Sequence, residues 1–98
     1  MKLIKEAVAG TLESNDLLVK VAPGESGRRD IVIHSQVIKQ FGKQIERVVK
    51  DTLDKLAVTE GAIVIEDKGA LDCAIRARVQ AAVLRGAAAD ALPWESLS

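Results

Sequence analysis

The sequence predicts an α+β fold in the order β-β-β-α-β-α, with a mixed sheet and two helices packed on one of its faces. Three observations carry that expectation. The first third of the chain holds short runs of strand-suited residues broken by turn signals. A long helical stripe then separates two further strand candidates. A second helical stripe follows the last of them.

Residues 7–13 and 17–22 are rich in Val, Leu and Ala and read as two strands. Between them Ser14-Asn15-Asp16 reads as a hairpin turn, because Asn and Asp tolerate a left-handed backbone and bond back to their own main chain. Gly10 weakens the first strand or marks a bulge, and Ser14 falls near the tip of the turn. Residues 23–29 form a loop by composition. Asp30-Ile31-Val32-Ile33-His34 reads as a third strand, and Ser35 has the chemistry of a helix N-cap.

From Val37 the period changes. Ile38, Phe41, Ile45, Val48, Val49, Thr52, Leu53 and Leu56 line one face of a helix, and Lys39, Lys43, Glu46, Arg47, Lys50, Asp51, Asp54 and Lys55 line the other. Glu46 with Lys50, and Asp51 with Lys55, have the i,i+4 spacing at which ion pairs contribute a few tenths of a kcal/mol. Ala62-Ile63-Val64-Ile65 is a continuous apolar run suited to a strand buried on both faces. Glu66-Asp67-Lys68-Gly69 then turns the chain into a second helix over 70–85, with Leu71, Ile75, Val79, Ala82 and Val83 as its buried stripe. Gly86 and the alanines near it loosen the end of that helix, and 91–98 form an extended tail. A long helix between the third and fourth strands makes those strands parallel through a crossover.

The 98 residues, 48% of them hydrophobic, suffice for one core, so 1–98 reads as a single domain. Lys and Arg number 14 and Asp and Glu also 14, which argues against the basic surplus of a nucleic-acid binder. Phe41 and Trp94, the two aromatic residues, leave no base-stacking platform. No uncharged run approaches the roughly 20 residues that cross a bilayer. The start Met1-Lys2-Leu3-Ile4-Lys5-Glu6 is too charged for a signal-peptide core. A single cysteine, Cys73, excludes an intramolecular disulfide and a cysteine-rich zinc site. No membrane role and a cytoplasmic location are the expectation.

The candidates for chemistry are few. His34 is the lone histidine, and a polar strand end explains it better than a triad or metal site that lacks partners. Cys73 reads as a packing residue, partly covered beside the second helix stripe. Glu66, Asp67 and Asp72 read as structural, since helix starts collect carboxylates. Gly24-Glu25-Ser26-Gly27 has the GxxG spacing of an RNA-clamping loop, but that loop joins two helices and this one lies between strands. Neither GxGxxG nor GxxxxGK[ST] occurs. No catalytic residue and no metal site is expected.

Ser14 by itself is a serine in a turn; its surroundings set it apart. Lys5, the run Ala7-Val8-Ala9-Gly10-Thr11-Leu12-Glu13-Ser14 leading into Asn15-Asp16, Gln40-Phe41-Gly42, Asp67-Lys68-Gly69-Ala70-Leu71-Asp72-Cys73, Arg76-Ala77-Arg78 and Ala91-Leu92-Pro93-Trp94-Glu95 together resemble the citrate lyase acyl carrier protein (gamma subunit) family over nearly the whole chain. Asn15 stands where a relative can carry Gly, and either residue suits positive φ.

The resemblance implies that 1–98 is a single acyl carrier domain and a non-catalytic subunit. It implies that Ser14 carries, through a phosphodiester, a covalent phosphoribosyl dephospho-CoA prosthetic group ending in a thiol, installed by a prosthetic-group transferase. It also implies citrate lyase alpha and beta subunits as partners: one exchanges acetyl for citryl on the thiol, and the other releases oxaloacetate and restores the acetyl carrier. Two readings stand for Trp94, a docking anchor or a cap on the chain's own core. Two also stand for Arg28, Arg29, Arg76 and Arg78, which either steer the phosphate-rich arm or acidic partners, or are solvated charges. The alternatives in function are the carrier of a related malonate decarboxylase and a small binding or regulatory module without a covalent group.

Overall fold

The computed structural model describes residues 2–25, 27–35 and 38–87. Strands β1 (Ala7–Gly10), β2 (Leu17–Ala22) and β3 (Arg29–Ser35) are followed by helix α1 (Ile38–Lys55), strand β4 (Gly61–Asp67) and helix α2 (Asp72–Ala87). The strands lie in the order β1-β2-β4-β3. β2 is antiparallel to β1 and to β4, and β4 is parallel to β3, so the sheet is mixed and α1 is the crossover between its parallel pair.

Strand alternation puts Leu17, Val19 and Val21 of β2 and Ile63 and Ile65 of β4 on one buried face. The helical stripes supply Ile45, Val48, Val49, Leu53 and Leu56 from α1, and Ile75, Val79, Ala82 and Val83 from α2. These residues form one cluster, so both helices cover the same face of the sheet. Thr52 sits inside the α1 stripe because its hydroxyl donates to the Val48 carbonyl at 2.8 Å, which satisfies it without water. On the outer face the Glu46–Lys50 and Asp51–Lys55 pairs form at 2.6 and 3.2 Å.

Several boundaries differ from the sequence expectation. β1 ends at Gly10 instead of reaching residue 13: Gly10 has φ +97°, and a Cβ there would lie 1.9 Å from the Leu17 carbonyl oxygen, so the chain leaves the ladder at this close approach. β4 extends to Asp67, drawing Glu66 and Asp67 out of the expected turn. Its second face, Ala62, Val64 and Glu66, is half-buried instead of buried, since both helices lie on the other side. α2 begins at Asp72, so Leu71 precedes the helix and is 73% exposed instead of lining its stripe. Gly86 does not loosen α2, which continues to Ala87. It makes room there: a Cβ would stand 2.9 Å from Val21 and 3.0 Å from Leu3, and its carbonyl accepts the Ile4 and Lys5 N–H groups at 3.0 and 3.1 Å. Val37, the side chains of Ile38 and Phe41, Trp94 and the expected tail 91–98 lie outside the described residues. Among the described residues no helix is long and apolar enough to cross a membrane.

Leu53 is fully buried and Leu71 largely exposed. In urea titrations Leu53→Ala should lower the unfolding free energy by about 2–5 kcal/mol through lost burial and a cavity, while Leu71→Ala should stay within about 0.5 kcal/mol.

Candidate functional site

Ser14 lies in the connection between β1 and β2 and is exposed, as are Leu12, Glu13 and Asn15 around it. Asn15 takes φ 66°, the left-handed geometry that Asn tolerates better than most residues. Just beyond the ladder the Thr11 N–H donates to the Leu17 carbonyl at 3.1 Å, and the Asp16 N–H donates to the Glu13 carbonyl at 3.2 Å. The turn is also tied to the β4–α2 connection: Asn15 N–H donates to the Lys68 carbonyl at 2.8 Å, and Lys68 N–H donates to the Asp16 carbonyl at 2.9 Å.

The Asp16 carboxylate organises the turn. Oδ2 accepts the Thr11 hydroxyl at 2.6 Å and Oδ1 accepts the Leu17 N–H at 2.8 Å. Arg78, projecting from α2, donates Nε–H to Oδ1 at 3.2 Å and Nη2–H to Oδ2 at 2.9 Å, a two-pronged pairing that fixes the plane of the carboxylate. These donors hold the Asp16 carboxyl at a pKa of about 2, down from 3.8, with the Thr11 hydroxyl the largest cause and Arg78 the next. Gly10 again provides the space: the Arg78 Cδ lies 3.3 Å from where a Cβ would stand. Of the arginines read from sequence as steering or solvated charges, Arg78 is engaged with Asp16.

The neighbouring connection is held by a second carboxylate. Asp67 is buried, and its Oδ2 accepts the Ser35 hydroxyl at 2.9 Å and the Gly69 N–H at 3.2 Å, while Oδ1 accepts the Ala70 N–H at 3.0 Å. The structural role expected for this acidic stretch holds for Asp67. Beside the turn is a cavity of about 440 Å³ lined by Leu12, His34, Ser35, Glu66, Asp67 and Lys68, with His34 exposed at the end of β3. Another, of about 560 Å³, opens between α1 and α2, where Ile45, Ala70, Leu71 and Ile75 meet and the Gln44 side-chain amide donates to Asp72 at 2.9 Å.

Cys73 is exposed at the start of α2, so it does not take the packing role expected of it. The loop with GxxG spacing joins β2 to β3, two strands, as its reading required. Arg29 bonds Asp54 at 2.8 Å and the Val58 carbonyl at 3.1 Å, and Arg28 bonds Asp30 at 3.0 Å. Both stand at the start of β3. Ser14 lies beyond the opposite end of the sheet, about 20 Å along at strand rise. Asp16 was legible only as a turn former; nothing local in the sequence marks Arg78 as its partner.

Because the Asp16 carboxyl titrates lower in the folded chain than unfolded, its contribution to stability is complete above about pH 4 and is lost as pH falls toward 2. Acid unfolding followed by circular dichroism should show a shallower loss between those values in Asp16→Asn than in wild type, with the two curves parallel at neutral pH.

Residues 4–86 match the family model described as "Malonate decarboxylase delta subunit (MdcD)". The citrate lyase acyl carrier protein of Albidiferax ferrireducens is 65% identical over 97 residues, covering 99% of each chain. That of Pectobacterium atrosepticum is 61% identical over 99% of this chain and 100% of its own. That of Haemophilus influenzae is 53% identical over 99% of each. Among solved structures, one chain of a Pseudomonas malonate decarboxylase hetero-tetramer in complex with malonate superposes with a TM-score of 0.74, covering 83% of this chain and 82% of its own at 23% identity, and so shares the fold. A mixed sheet capped on one face, an exposed serine in a fixed turn and these full-length likenesses agree: the chain belongs to the citrate lyase acyl carrier protein family.

Proposed function

We propose that this chain is the acyl carrier subunit of a citrate lyase, one domain spanning 1–98, and that Ser14 is the attachment point of its phosphoribosyl dephospho-CoA arm. The observation that carries the reading is the exposure of Ser14 in a turn whose flanks are hydrogen-bonded to two other elements. The residues fit such a group. The hydroxyl stands clear of the core, and the other hydroxyl of the turn, that of Thr11, is committed to the Asp16 carboxylate.

An unassisted serine hydroxyl is a weak nucleophile. Asp16, the adjacent carboxylate, is no base for it, because its oxygens already accept from Thr11, Leu17 and Arg78 and it stays ionised down to about pH 2. Installation therefore falls to a separate prosthetic-group transferase. When bound, the arm supplies the thiol on which acetyl and citryl groups are carried. The chain supplies a fixed, solvent-facing anchor, and tethering at mM effective concentration replaces repeated bimolecular encounters between the alpha and beta subunits of the complex. The setting of this work is the cytoplasm.

A second reading, the carrier of a malonate decarboxylase, is favoured by the description of the matching family model and by the solved neighbour. The names and identities of the full-length relatives favour citrate.

The chain purified from its native host should show an intact mass above that of the polypeptide, with the excess on the peptide holding Ser14. Ser14→Ala should remove the excess while changing stability by less than about 0.5 kcal/mol, as exposed substitutions do. An unmodified chain recovered from cells with working lyase would overturn the proposal. Supplying citrate or malonate to the assembled complex separates the two carriers: turnover of malonate alone selects the second.

A further inference from the structure

We infer that the enzyme which modifies Ser14 reads a folded turn, not a linear stretch of sequence, and that Arg78, acting through the Asp16 carboxylate, is a positioning residue for that modification. The inference rests on the reading of Ser14 as the attachment point. In the transfer the Ser14 Oγ attacks a phosphorus of a phosphoanhydride donor bearing the arm. An Oγ–P bond forms, the bond from that phosphorus to the bridging oxygen breaks, and the leaving phosphate departs with the electron pair. The hydroxyl proton passes to a base on the transferase. Attack and departure must lie roughly in line, so the rate depends on where the turn holds Oγ.

Three supports set that position. One carboxylate ties both feet of the turn together, accepting Thr11 from one side and Leu17 N–H from the other. Arg78, 62 positions away in sequence, fastens the same carboxylate to α2 beside the fully buried Val79. The Lys68 main chain is the third support, through Asn15 N–H and the Asp16 carbonyl. What remains outward is Leu12 to Asn15, with Leu12 54% exposed as an apolar contact for the enzyme.

The exposure of the pair separates this role from a purely structural one. The Arg78 side chain is 41% exposed and that of Asp16 17%, and the pair stands at the end of the sheet, outside the buried cluster that holds the strands and helices together. Their loss should therefore release the turn and leave the fold intact.

The test uses the full-length unmodified chain, the purified transferase and its phosphoanhydride donor, with initial rates read from the mass gain. Arg78→Met and Asp16→Asn should melt cooperatively within a few degrees of wild type, yet be modified about 10- to 100-fold more slowly, with the loss mainly in kcat. Because both act through one clamp, the double variant should be no more than about twofold slower than the slower single variant. Arg78→Lys should recover part of the rate. Amide exchange should quicken at Asn15 and Lys68, with Val19 and Ile65 unchanged. Wild-type rates in the variants, or a double variant whose loss is the product of the two, would overturn the inference. If Arg78→Met does not stay folded, Asp16→Asn, which keeps the side-chain shape, decides. A wild-type chain that gains no mass at Ser14 refutes the attachment reading instead, and the two failures are distinguishable.

Discussion

β4 is hydrogen-bonded along both edges. It runs antiparallel to β2 from Leu17↔Asp67 to Ala22↔Ala62 and parallel to β3 from Arg29↔Gly61 to Ser35↔Asp67. Ile63 and Ile65 point from it into the space that both helices fill. A slip of one residue would turn those side chains to the open face, so the core holds the register, and the register fixes where β4 ends. Its end sets the surroundings of Ser14. Beyond Asp67 the main chain of Lys68 lies beside the β1–β2 turn and bonds it. The position of Ser14 is thus inherited from the packing of a strand that does not contain it.

Two carboxylates stand at that end of the sheet, each with its own set of donors. Asp67 collects a hydroxyl and two N–H groups and shapes the β4–α2 connection; Asp16 collects a hydroxyl, an N–H and a guanidinium and shapes the serine turn. The Asp16 carboxylate, held ionised by its donors, makes a poor general base. The arrangement suits a protein that presents a hydroxyl to other enzymes. On the proposal that Ser14 carries the arm, a held turn with freedom in what is attached reconciles a defined substrate for modification with a carrier whose cargo must travel.

The elements were legible in proportion to how local their causes are. The stripe from Ile45 to Leu56 and the alternation of Leu17, Val19 and Val21 come from burial of one face, which a short window of sequence reveals. The order of elements and the parallel β3–β4 pair followed from the length of the crossover helix. Leu71 is exposed although the helical period extends upstream to it, because α2 begins only at Asp72, and Cys73 is exposed at the same helix start. Gly86 read as a loosened helix end because the residues that crowd it, Leu3 and Val21, lie more than sixty positions earlier in the chain.

The sequence by itself determined the fold class, the serine-bearing turn and the family, since composition, period and motif are properties of contiguous residues. Only the tertiary structure decided what holds that turn. The strand order β1-β2-β4-β3 brings Lys68 alongside Asn15 and Asp16, and the laying of α2 over β1 and β2 brings Arg78 to Asp16. Contacts between residues so far apart along the chain arise from how layers pack, and no local pattern of residue types encodes them.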